Sequence, residues 1–178
     1  MRDGLQQLSD GGPVTSPPEG IDELNDRELL EGRDIPLDVA VSRSAAAARA
    51  LIELWHEVGD RPLKWYIANT TGEAIIRNSY LHPRNHIAEH IAERGDKSEG
   101  ARLFEETVAE LRKIDVPGHT LGPALCNLAG ARLAQGRLDE ALRLLEEGIP
   151  LRPDLAGLIA KDADFAVLRS DPRFRALL

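Results

Sequence analysis

The sequence has few aromatic residues, a single cysteine and little positive charge, and each shortage excludes a class of protein. Aromatic residues make up only 4% of the 178 positions, which disfavours sheets built from aromatic and β-branched strands. The single cysteine, Cys126, excludes a disulfide within this chain and favours a cytoplasmic protein. The formal net charge of −8 argues against sequence-independent binding to nucleic acid and against binding to an anionic membrane.

Long apolar runs are missing as well. No run approaches the roughly 20 residues that a membrane-spanning helix needs. The first residues, MRDGLQQLSDGG, lack the charged-then-apolar order of a secretory signal peptide. We therefore expect a cytoplasmic protein that has neither a membrane nor a nucleic acid among its partners.

The residues that are present indicate a folded, helical chain. Apolar residues are 42% of the sequence and charged residues 29%, a balance typical of a globular protein. Over residues 38–58 the apolar positions recur at steps of three and four, as on one face of an α-helix. Residues 1–20 carry four glycines and three prolines and predict a disordered tail, followed by an N-terminal helical region over 21–82.

Two later segments repeat each other. Residues 85–96 align with residues 126–137, so that Ala88 corresponds to Ala129 and Gly95 to Gly136. A second pair of small residues, Gly100 and Ala141, follows in each copy. Small side chains at these positions predict two pairs of antiparallel helices that approach closely.

The pattern over residues 124–153 resembles a tetratricopeptide repeat, and residues 83–178 resemble the end of a protein of that family. Large, small and proline positions follow the family order at Leu125, Leu128, Ala129, Gly136, Ala141, Leu145, Gly148 and Pro153. The resemblance implies two helical hairpins over 83–152 and a capping segment over 153–178. We therefore expect an all-α fold, with helices of the N-terminal region packed on a short repeat array that ends in C-terminal capping helices.

The same resemblance implies a function. Proteins of this family bind a protein or a peptide in a concave groove between their helices, without catalysis. The residues that would line this groove are Asn85, His86, Glu89, Cys126, Asn127 and Gly130. A homodimer, in which the groove binds a second copy of the chain, is a further option.

A group of histidines supports a different function. His82, His86 and His90 are spaced four apart, a spacing that places side chains on one face of a helix within reach of one metal ion. His56 lies on another predicted helix and could complete the set. On these residues, positions 33–94 resemble the DinB-like helical bundles, which implies a divalent metal (Zn, Ni or Fe) held by His56, His86 and His90. That family includes metal-dependent transferases and hydrolases, which gives the alternative function.

The histidines also have a structural interpretation. In the repeat alignment His86 corresponds to Asn127, on the groove side, and His90 corresponds to Ala131, between helices. A histidine at either position can be a packed, hydrogen-bonded side chain. No phosphate loop, dinucleotide fingerprint or paired nucleophile occurs in the sequence, so no catalytic residue is predicted and a non-enzymatic binding role is favoured.

Overall fold

The computed structural model describes residues 2–14, 21–66 and 68–178. The chain divides into two compact units, Met1–Ser79 and Tyr80–Leu178. Helices dominate both units, and the described strands form one short two-stranded sheet, so the prediction of an all-α fold is confirmed. In the described part of the chain, no helix combines the length and the apolar character needed to cross a bilayer.

The described residues of the first unit form four helices and a hairpin. These elements are α1 (Arg2–Ser9), α2 (Ile21–Gly32), α3 (Leu37–Val58), β1 (Pro62–Trp65), β2 (Ala68–Thr70) and α4 (Thr71–Ile76). A short π-helical segment, Arg77–Leu81, follows α4. Strands β1 and β2 pair antiparallel. The Thr71 hydroxyl donates to the Gly59 carbonyl at 2.7 Å and accepts from the Arg61 amide at 3.0 Å, which ties the hairpin to the end of α3.

The structure differs from the predicted disordered tail at residues 2–9. These residues form α1, which packs against α3. Leu5 is completely buried, and a Cβ at Gly4 would lie 2.8 Å from the Trp65 ring. The helix is stabilised by these distant contacts, and eight residues are too few for helical periodicity to indicate it. Residues 15–20 of the predicted tail lie outside the described residues.

The second unit contains four longer helices and a compact C-terminal segment. The helices are α5 (His82–Glu93), α6 (Lys97–Lys113), α7 (Gly118–Ala134) and α8 (Leu138–Leu151). The C-terminal segment consists of a 3₁₀ turn (Pro153–Leu155), α9 (Ala156–Lys161), a second 3₁₀ turn (Ala163–Leu168) and α10 (Pro172–Leu177). Asp96 caps α6 by accepting from the Glu99 amide at 2.9 Å.

Helices α7 and α8 pack antiparallel with very little space between their backbones. A Cβ at Gly122, near the start of α7, would lie 2.9 Å from the carbonyl oxygen of Gly148, near the end of α8. Between the two helices, Ala129 and Ala141 are completely buried. The expected close approach of two antiparallel helices at small residues is therefore present between α7 and α8.

The pair α5 and α6 packs in the same way. A Cβ at Gly100 would lie 2.6 Å from the Ala88 carbonyl oxygen, and Ala88 itself is completely buried. At the other end of the pair, the Arg84 guanidinium donates to the Thr107 hydroxyl at 2.8 Å. The start of α5 thus lies beside the later part of α6, as in an antiparallel hairpin.

A buried arginine connects three of these helices. Arg132 on α7 forms ion pairs with Glu105 on α6 and with Glu140 on α8, and its side chain is only 7% exposed. Burial lowers the pKa of the Arg132 guanidinium, and the nearby charge of Arg137 lowers it further. Ion pairs on both sides compensate for the removal of this charge from water.

The C-terminal segment covers the apolar end of α7 and α8. Phe165 and Phe174 stack with their ring centroids 6.5 Å apart, and both side chains are buried. They join one core cluster with Leu142, Leu145 and Leu168. A stack of helical hairpins needs such a cover on its last apolar face, and residues 153–178 provide it.

Replacement of Gly100 by alanine tests the close approach of α5 and α6. The added Cβ would overlap the backbone oxygen of Ala88, so we expect Gly100→Ala to lower the free energy of unfolding by about 1–3 kcal/mol. Gly157→Ala is the matched control, because nothing lies within 4 Å of a Cβ there. The control should change stability by less than about 1 kcal/mol. Urea unfolding followed by circular dichroism measures both, and equal effects would contradict the packing described.

Candidate functional site

The second unit has an open groove on one side of α7, which we call the α7 groove. Its volume is about 520 Å³. Helices α5, α6 and α7 and the C-terminal segment all contribute to its lining. The large apolar side chains that line it are Phe104, Leu155, Leu158, Ile159 and Phe165.

Small residues keep the groove open. Helix α7 contributes Gly130, Ala131 and Ala134 to the lining. The nearest atom to a Cβ at Gly130 would be in the Phe165 ring, at 3.8 Å, which is an ordinary contact distance. The space beside α7 is therefore a consequence of side chains that end close to the backbone.

The charged residues around the groove are mostly acidic. Glu89 and Glu93 of α5 line it on one side, and Asp162 and Asp164 of the C-terminal segment line it on the other. We call these four residues the acidic rim. Lys97 is the single cation among the described lining residues. Apolar walls with a negatively charged edge favour a ligand that carries apolar groups and positive charge.

The structure places four of the six predicted groove residues in this lining: Glu89, Cys126, Asn127 and Gly130. Asn85 and His86 lie on the first turns of α5, outside the lining. The prediction missed the apolar residues from the C-terminal segment. Their contribution depends on how that segment folds back on α7, and no local pattern in the sequence indicates it.

Cys126 faces the groove as a largely buried thiol. Cys126 is only 6% exposed, and burial raises the pKa of its thiol to about 11. At neutral pH the thiol is therefore protonated. A protonated thiol is a poor nucleophile, so Cys126 acts in the groove as a small packing residue.

The predicted metal ligands lie on two helices of different units. His56 is on α3 in the first unit, and His86 and His90 are on α5 in the second. The ring of His86 contacts that of His82, with the two Nε2 atoms 3.2 Å apart, and its Nδ1 lies 3.3 Å from a Glu89 carboxylate oxygen. Within the described residues, no group of three or more histidine, cysteine or carboxylate side chains is arranged to hold a metal ion.

Comparisons with known proteins add nothing to this geometry. No family model, no curated protein and no solved structure matches the chain.

The burial of Cys126 predicts slow reaction with alkylating agents. A pKa of about 11 makes the thiolate on the order of 100-fold scarcer at pH 8 than in an ordinary cysteine. We expect iodoacetamide to modify the native protein at least 100-fold more slowly than the chain unfolded in guanidinium, as followed by mass spectrometry. Native and unfolded rates within a factor of ten would contradict a buried thiol.

Proposed function

We propose that this protein is a binding module similar to the tetratricopeptide repeats, and that its α7 groove takes a segment of a partner protein. The observation that carries the proposal is an open apolar groove of about 520 Å³ beside stacked antiparallel helices. Grooves of this kind bind short segments through a few apolar anchors. The hairpins of α5–α6 and α7–α8 supply a rigid frame for such a surface.

Apolar contact supplies the affinity in this proposal. Phe104, Leu158 and Phe165 offer walls against which a leucine or phenylalanine of the partner can be buried. Burial of one such side chain contributes about 1.5–3 kcal/mol. Two or three anchors would offset the entropy cost of ordering a short segment and leave a modest net affinity.

The acidic rim supplies the selectivity. Four carboxylates against one ammonium group attract lysine and arginine residues on either side of the partner's apolar anchors. A second copy of this chain, with its net charge of −8, would bring further negative charge to the rim. A basic, amphipathic segment of another protein is therefore a better fit than a homodimer.

A peptide array tests the class of ligand. We expect the full chain to select peptides in which lysine or arginine flanks leucine or phenylalanine, over a series with glutamate or aspartate in the same places. Binding of the selected peptides, measured by fluorescence polarisation, should weaken as salt is raised, because exposed charges are screened. Equal binding of the acidic series would contradict the proposal.

Substitutions in the rim test the location of binding. Glu93→Lys together with Asp164→Lys reverses two exposed charges of the rim and should weaken binding of the basic peptides at least tenfold. Glu28→Lys together with Glu31→Lys makes the same change in net charge on exposed positions of α2, and it should leave binding within about twofold. Equal losses in both double variants would show that overall charge, not the rim, governs binding.

A bulky side chain tests the apolar part of the groove. Ala134→Trp places an indole in the lining at an exposed position near the end of α7, and we expect it to reduce binding at least tenfold. Ala176→Trp is the control, since Ala176 is an exposed helical alanine outside the lining. Circular dichroism of both variants checks that the helices are intact. Unchanged binding by Ala134→Trp would remove the groove from the proposal.

A further inference from the structure

Two histidines on α5 have ring nitrogen atoms that lie close to each other. His82 and His86 are one helical turn apart, and their Nε2 atoms lie 3.2 Å from each other. The rings contact edge to face, with centroids 4.4 Å apart and planes at 75°. Both residues are exposed.

We propose that His82 and His86 form a chelating site for one divalent transition-metal ion, with both Nε2 atoms as ligands. Metal–imidazole bonds are about 2.05 Å long. Two such bonds that span 3.2 Å enclose an angle of about 100° at the metal, between the cis angle of an octahedron and the tetrahedral angle. To bind an ion, the pair needs small adjustments of its rings and a shift of the His82 proton from Nε2 to Nδ1.

Glu89 orients one of the two ligands. Its carboxylate lies 3.3 Å from His86 Nδ1 and can only accept a hydrogen bond, so the neutral ring carries its proton on Nδ1. The lone pair of His86 is then on Nε2, which points toward His82. A carboxylate behind a ligating histidine is the usual arrangement that fixes the ring and strengthens its bond to the metal.

The position of α5 in the unit keeps the two ligands in place. Ala88 is completely buried against α6, and Arg84, between the two histidines in sequence, donates to Thr107 on α6. The helical backbone that carries both rings is thus anchored on its other side. Chelation by this anchored pair therefore costs less conformational entropy than chelation by two histidines on a mobile segment.

The chemistry of the ligands selects the metal. Imidazole nitrogen suits Ni²⁺, Cu²⁺ and Zn²⁺, and water molecules would fill the other coordination positions of such an ion. Two protein ligands make the site weaker than a closed structural zinc site with four. This site shares only His86 with the set of His56, His86 and His90 that the sequence suggests.

Titration of the full, tag-free chain with nickel chloride tests the site. We expect one equivalent of Ni²⁺ to bind, as measured by calorimetry, and His82→Ala and His86→Ala each to weaken that binding at least 30-fold. His90→Ala is the matched control, because it removes another exposed α5 histidine one turn from His86, and it should change affinity less than threefold. Glu89→Gln should weaken binding about tenfold by releasing the His86 ring.

Two results would overturn the site. The first is a loss of nickel affinity in His90→Ala and His56→Ala as large as that in His86→Ala, while His82→Ala binds nickel as the native chain does. That result would replace the pair by the three-histidine set. Nickel binding by the native chain no tighter than by the double variant His82→Ala with His86→Ala would remove the site altogether. Circular dichroism should show unchanged helix content, since all the substituted side chains are exposed.

Discussion

The close approach of antiparallel helices at small residues is the constraint on which the second unit depends. At Gly100, Gly122 and Gly148, a single added carbon would meet a neighbouring backbone oxygen at about 3 Å or less than that. Completely buried alanines on α5, α7 and α8 continue the same contacts. A larger side chain at any of these positions would force the two helices of a hairpin apart.

Small side chains also produce the groove. Where a small residue faces another helix, the backbones approach closely, and where it faces outward on α7, it leaves space. The C-terminal segment then determines how this space is bounded, since its leucines and Phe165 form one wall and its aspartates one side of the rim. Close packing and an open groove thus arise from the same kind of small residue, on the two sides of a single helix.

Charge has two distinct uses in this unit. Arg132 is buried and paired across three helices, so its charge serves the packing of the core. The carboxylates of the acidic rim are on the surface, where solvent screens each of them. His82 and His86 belong to neither group, and their contact lies on the surface, where an ion can reach it.

The sequence by itself indicated a helical chain, because helix propensity and the spacing of apolar side chains are local properties. It also indicated the helical hairpins, since small residues that recur in the same order are typical of helices packed closely in pairs. Only the tertiary structure decided that residues 2–9 form a helix, that the C-terminal segment lines the groove and that Asn85 and His86 lie outside it. These features depend on contacts between residues far apart in the chain, and a local pattern of residues carries no information about such contacts. The sequence placed His82 and His86 on one face of a helix by their spacing, and the structure added the distance of 3.2 Å between their Nε2 atoms.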